Sequence, residues 1–202
     1  YIPDYECDST AFLNNRMLEA GYATLLFEFS DMDSTVTDYA YDPKAAIIRP
    51  NGDVATPWIT VTPHYTKIAE AVTSPTAGDA TTIKADKDDD GEVEIFDMDT
   101  LTEVSIINSV TVFLFATTEN VNNLPSIDIY LGSWIGAKTS SSILWNEGVY
   151  NWTSLTWSGL SATQSQLDSM QIKVTAPPTI GSTSEVFVDA LYVVVNYTTI
   201  YD

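Results

Sequence analysis

The stretch from Tyr150 to Thr198 constrains this chain most. It runs from a strand-like segment through a Trp-containing turn, a short segment of helical character, a second strand and a Pro-rich loop into a long apolar run. That last run, Glu185–Thr198, is apolar on both of its faces. Val186, Val188, Tyr192 and Val194 fall on one, and Phe187, Leu191, Val193 and Val195 on the other. A strand of this kind is covered on both sides and sits in the interior of its sheet. In the helical segment, Ser161 and Gln164 have the spacing of a capping box. Leu167 and Met170, three apart, are set to face a core.

The upstream sequence repeats the pattern. Ala45–Arg49, Trp58–Thr62, Thr66–Val72, Thr81–Ala85, Val93–Met98, Val104–Ala116, Ser126–Ser133, Val149–Trp157 and Met170–Thr175 all read as strands, with Ile127, Ile129 and Leu131 on one face of theirs. Pro50, Asn51, Gly52 and Asp53 read as a turn. Short strands punctuated by turn signals predict an all-β fold, an antiparallel β-sandwich over residues 49–202. Residues 1–48 differ, with nine acids against two bases, Arg16 and Lys44. They read as an N-terminal extension, an arm or accessory strand region too short to bury a core of its own. Its one apolar piece holds Tyr22, Leu25, Leu26, Phe27 and Phe29. These residues are candidates for assembly, since an extended segment can add to a sheet of its own domain or of a neighbour.

The landmarks Arg49–Val54, Trp58, Tyr65, Ile68–Glu70, Ile106–Val112, Trp152, Trp157, Leu167–Ile172 and Val188–Tyr197 come in an order that resembles a recurrent jelly-roll module. Such modules occur in phage and archaeal-virus virion proteins and in prokaryotic surface proteins. The resemblance spans about residues 49–198. It implies a jelly-roll sandwich with a structural or adhesive role. It does not imply one particular role, because folds of this kind host many functions.

Charge narrows the partners. With 28 acids and 8 bases the formal net charge is −20. Nucleic acid is excluded as a partner, because its backbone is bound by Lys/Arg patches. No apolar run approaches the ~20 residues of a membrane helix, so no membrane insertion is expected. Cys7 is the single cysteine, so no intrachain disulfide forms.

The densest acidic run is Asp86–Asp99, with eight acids and one base, Lys87. Asp86, Asp88 and Asp90 followed by Gly91 reproduce the first half of a calcium loop, in which alternate carboxylates converge on one hard cation and glycine permits the sharp turn. Glu92 and Asp97 complete the candidate donors. Asp97 stands where such loops carry a longer Glu, and strands rather than helices flank the run. Calcium is therefore the candidate cofactor, and a solvated acidic hairpin loop is the alternative.

Asn151 and Asn196 head glycosylation sequons, at the frequency that this composition produces by chance. Catalysis has little support. His64 is the only histidine, and no nucleophile elbow or Cys–His pairing accompanies it. Of the five tryptophans, Trp134 stands between Gly132 and Gly136 and reads as a loop residue available to stack on a sugar. Trp152 and Trp157 read as core. The expectation is a non-enzymatic structural subunit of an extracellular assembly, bound to copies of itself and to other structural subunits. A virion component, a capsid decoration or tail protein, comes first and a cell-surface filament or coat subunit second. A carbohydrate-binding or adhesion module that takes surface glycans is the alternative of a different class.

Overall fold

The computed structural model describes residues 40–60, 62–70, 75, 77, 81–86, 88–102, 106–118, 124–139, 149–177 and 185–201. The candidate assembly residues Tyr22, Leu25, Leu26, Phe27 and Phe29 lie outside the described residues, as do Cys7 and Trp145. The chain divides into two compact units, Tyr1–Asp42 with Ile200–Asp202, and Pro43–Thr199. The second is the sandwich.

Its strands are β1 (Ala40–Ile48), β2 (Pro50–Ala55), β3 (Ile83–Ala85), β4 (Val93–Met98), β5 (Ile106–Thr118), β6 (Ser126–Tyr130), β7 (Lys138–Thr139), β8 (Asn151–Ser158), β9 (Gln171–Thr175) and β10 (Val186–Tyr201). Two short helices, α1 (Tyr65–Ile68) and α2 (Gln164–Asp168), interrupt them. Sheet A has the order β1-β10-β5-β8, with β3 also paired to β10. Sheet B has the order β2-β4-β9-β6-β7. The pairs β3–β10, β10–β5, β5–β8, β2–β4, β4–β9, β9–β6 and β6–β7 are all antiparallel. From β3 to β10 the chain crosses between sheets so that β3-β10-β5-β8 opposes β4-β9-β6-β7, which is the eight-stranded jelly roll. β1 and β2 are additions, one beside β10 and the other beside β4.

The strands form because alternate residues fill the space between the sheets. Val110, Val112, Leu114 and Ala116 of β5 are buried, as are Ile127 and Ile129 of β6, Ile172 and Val174 of β9, and Phe96 and Met98 of β4. Trp58, Ile68, Leu167 and Met170, from the loops and helices, also join this core. Each fully buried aliphatic side chain contributes roughly 1.5–3 kcal/mol relative to exposure.

Several local expectations shift. Residues 50–53 are not a turn but the start of β2, whose pairing with β4 is irregular between Pro50 and Gly52 and again between Asp53 and Ala55. The segment after His64 is helical rather than extended. The Asp53 carboxylate accepts the backbone N–H groups of His64 (2.8 Å) and Tyr65 (2.7 Å), stabilising a helix start. Trp58–Thr60 is irregular backbone. The capping box falls two residues later than the sequence suggests. Thr163 is the N-cap, Gln166 returns the bond to its backbone, and Leu167 is buried.

β10 is interior, as its composition requires, yet its two faces are not the two simple alternations. A register shift between Val188 and Ala190 reverses the parity. Val186 and Val188 point inward before it, and Leu191, Val193 and Val195 after it.

Leu114 lies on the interior strand β5 with no exposed surface. Leu114→Ala is expected to lower the unfolding free energy by about 2–5 kcal/mol, read from urea denaturation followed by circular dichroism.

Candidate functional site

On the outer face of sheet B the register places side chains in rows. Asp97, Gln171 and Tyr130 form one row, and Ile95, Lys173 and Asp128 the next. Gln171 Nε2 donates to Asp97 Oδ1 at 2.9 Å. After Tyr130 the chain turns at Gly132 and runs back beside β6, with Trp134 bridged to Tyr130 and the Ile135 N–H donating to the Ile129 carbonyl at 3.0 Å. Gly132 has φ +77°, and a Cβ there would strike the Gln166 side chain. The positive φ is what favours glycine here; the Gln166 side chain would also have to shift to admit a Cβ.

Gly136, at φ +137°, is held from both sides. Its N–H donates to Asp128 Oδ1 at 2.8 Å, and its carbonyl accepts from Trp157 Nε1 at 3.1 Å. Trp134 on this fixed loop is 37% exposed. Tyr130 meets it edge-on at 5.4 Å, and Lys173 Nζ lies 4.1 Å from its ring centre while also 3.3 Å from Asp128 Oδ2. An aromatic face beside a carboxamide, carboxylates and an ammonium can stack against one side of a ligand and hydrogen-bond its edges.

Sheet A carries a different surface. Phe113, Phe115, Tyr150, Trp152 and Tyr192, all half-buried, form one cluster on its outer side. Phe113 stacks on Tyr192 at 4.6 Å and 5° between planes. Trp152 meets Tyr192 and Phe115 at 5.1 Å each, and Phe115 meets Tyr150 at 5.5 Å. Burial raises the Tyr192 hydroxyl pKa above its ordinary value. Further along the same strands the face turns polar, with Thr111 and Thr156 hydrogen-bonded at 2.9 Å. Trp152 was expected in the core and belongs instead to this outer cluster, because β8 turns it away from the buried Trp157 and Thr153.

The acidic run forms the tight connection between β3 and β4. Asp86 Oδ1 accepts the Asp88 N–H at 2.9 Å, and Asp89 Oδ2 accepts the Asp86 N–H at 2.9 Å. Gly91, with φ +71°, donates its N–H to the Pro177 carbonyl at 3.1 Å. Asp97 is carried off along β4, which at about 3.3 Å per residue puts it roughly 13 Å beyond Val93. Among the described residues no three His, Cys, Asp or Glu side chains are grouped closely enough to hold a metal ion.

Asp89, nearly buried, has its pKa raised, first by loss of solvation and then by Asp86 and Asp88; the Asp86 N–H works in the opposite direction. Of the sequon residues, Asn151 opens β8 and donates to the Val149 carbonyl at 3.0 Å, and Asn196 lies in β10 and donates to Ser109 Oγ at 3.1 Å.

His64 is sealed from solvent, with Nδ1 2.8 Å from Glu94 Oε2 and Nε2 2.6 Å from the Thr60 carbonyl. It serves the fold. Sequence reasoning singled out Trp134 from its flanking glycines. It missed Tyr130, Lys173, Asp128 and Gln171, whose proximity depends on cross-strand register, and it noted Asp97 only as a metal donor.

No family model matches the chain, and no curated protein matches it. Among solved structures it is similar to a xylan-binding module CBM15, at 14% identity and a TM-score of 0.35, over 63% of this chain and 87% of that one.

A carboxyl whose folded pKa is raised contributes stability that is complete in acid and is lost as the pH rises through that pKa. Asp89→Asn keeps an acceptor for the Asp86 N–H and removes the charge. The variant is expected to melt above the parent at neutral pH and level with it near pH ~3, where the parent carboxyl is protonated. Thermal melts at the two pH values check this.

Proposed function

We propose that this chain is a non-catalytic structural subunit of an extracellular assembly, joined to further copies of itself through the aromatic outer face of sheet A. The cluster of Phe113, Phe115, Tyr150, Trp152 and Tyr192 is the observation that supports this reading. A sandwich needs apolar side chains on its inner faces, and the outer face of an antiparallel sheet is ordinarily polar. A half-buried aromatic cluster there keeps apolar edges that a second copy could cover. The net charge of −20 keeps separate copies soluble and mutually repelled, so association has to come from such local contacts.

The resemblance in the sequence points to a virion surface as the setting. A cell-surface filament or coat would use the same face. Among the described residues no helix is long and apolar enough to cross a membrane. Tyr22, Leu25, Leu26, Phe27 and Phe29 belong to this proposal as a second intersubunit element.

Sedimentation velocity over a range of concentrations tests the reading. The full chain is expected to self-associate, and Trp152→Ser with Phe113→Ser to weaken that association tenfold or more while leaving a folded monomer. Deletion of residues 1–39 is expected to weaken it further. A chain that stays monomeric at every concentration, or association that is indifferent to both changes, overturns the proposal.

Calcium at Asp86, Asp88, Asp90 and Glu92 is a separate proposal, resting on oxygen-donor spacing alone; Asp97 leaves the donor set because β4 carries it away from the loop. An ion bound only by the folded chain raises its melting temperature by mass action. Chelator is therefore expected to lower the melting temperature and millimolar calcium to restore it. Superimposed curves leave the run as an internally capped turn.

A further inference from the structure

We infer that the outer face of sheet B, centred on Trp134, binds a neutral oligosaccharide. An exposed tryptophan on a loop is ordinarily mobile and carries little structural role. This one is fixed from several directions. Its backbone bridges Tyr130, Lys173 Nζ covers one face of its ring and Tyr130 meets it edge-on, so a ligand stacks on the face that Lys173 leaves open. The next glycine along is clamped between Asp128 and Trp157. The indole nevertheless keeps 37% of its surface exposed. A rigid aromatic surface that the core does not use is suited to a planar apolar ligand face, and holding it in place beforehand reduces the ordering cost of binding.

The neighbouring groups define the rest of the ligand. Gln171 and Asp97 are paired at 2.9 Å on the two strands beyond Tyr130. They offer a carboxamide and a carboxylate side by side, the combination that donates to and accepts from vicinal hydroxyls. From Asp97 across β9 and β6 to the Trp134 loop is three inter-strand steps, about 14 Å, which is a span for several sugar rings rather than one. The pyranose ring presents C–H bonds on its faces and hydroxyls at its edge, which matches an indole beside a polar row.

Charge selects among sugars. Lys173 is already matched by Asp128 at 3.3 Å. With Asp97 beside it and a net charge of −20 on the chain, the surface repels uronic acids, sulfated glycans and sialylated glycans. A neutral chain of hexoses or pentoses remains.

The test is native gel electrophoresis of the full chain through gels containing xyloglucan, galactomannan, arabinoxylan, β-glucan or polygalacturonate. At least one neutral polysaccharide is expected to retard the chain, and polygalacturonate is not. Trp134→Ala should weaken that retardation tenfold or more. Gln171→Ala, on a strand and apart from the loop, should weaken it independently. Ile59→Ala, an exposed apolar residue of the β2–α1 connection, should leave it unchanged. Thermal melts of each variant confirm folding. Free mobility in all four neutral gels, retardation indifferent to both Trp134→Ala and Gln171→Ala, or equal retardation by polygalacturonate overturns the inference. None of these outcomes depends on whether the chain self-associates through sheet A.

Discussion

A single carboxylate holds one end of this sandwich together. Glu94 occupies an inward position on β4, in line with Phe96 and Met98, and has no exposed surface. Burial pushes its pKa above the ordinary value, and bonds from His64 and from the Trp58 N–H oppose that rise. The backbone N–H of Trp58 donates to Oε1 at 2.9 Å, and His64 Nδ1 lies 2.8 Å from Oε2. The Thr60 carbonyl can only accept, so the His64 Nε2 facing it carries a hydrogen. One further proton then lies between Nδ1 and the carboxyl, whichever partner holds it, and every polar atom of the pair is engaged.

A network of this kind stabilises when complete and costs more than an apolar core when broken. Here it draws the β2–α1 connection over the core and buries the Trp58 ring. Thr60 Oγ1 ties the same connection to β3 by accepting the Lys84 N–H at 2.8 Å. Asp53 of β2, α1 and Lys84 of β3 are thus tied to the same connection that Glu94 of β4 holds.

This explains where the sequence was legible and where it was not. β4, β5, β8, β9 and β10 could be read because β-branched and aromatic runs report burial directly, and their order carried the jelly roll. The region from Pro50 to Ile68 could not be. Its local signals are a Pro-Asn-Gly-Asp turn and two strand-like runs. The actual conformation is set by Glu94, thirty or more residues downstream, and by Asp53, which caps a helix that begins after His64. The faces of β10 went astray for another reason. A bulge near Asp189 reverses inside and outside without altering the composition of the run. The capping box moved because Thr163 and Gln166 offer the same spacing as Ser161 and Gln164, and the sequence does not rank the two.

The outer surfaces followed the same rule. Trp134 was visible because its glycines are adjacent in sequence. The groups beside it come from β4, β9 and β6, and only the pairing of Asp97 with Gln171 and of Gln171 with Tyr130 gathers them. On sheet A, the contact of Trp152 with Tyr192 depends on register across three strands. Aromatic counting alone assigns such residues to the core, because their composition is that of buried strands.

The two faces are nevertheless mechanically linked. Trp157 belongs to β8 of sheet A and is buried, yet its indole N–H reaches the Gly136 carbonyl of the loop that carries Trp134. Lys138, at the start of β7, lies 4.9 Å from the Trp157 ring centre. The core therefore braces the sheet B surface through one inward-facing tryptophan, while Trp152, five residues earlier on the same strand and facing outward, belongs to the sheet A cluster. A change that loosened β8 would disturb both surfaces together, whereas a change confined to either outer face would leave the other in place. Two outer faces of a two-layer fold can then vary separately, provided that the packing of β8 is kept.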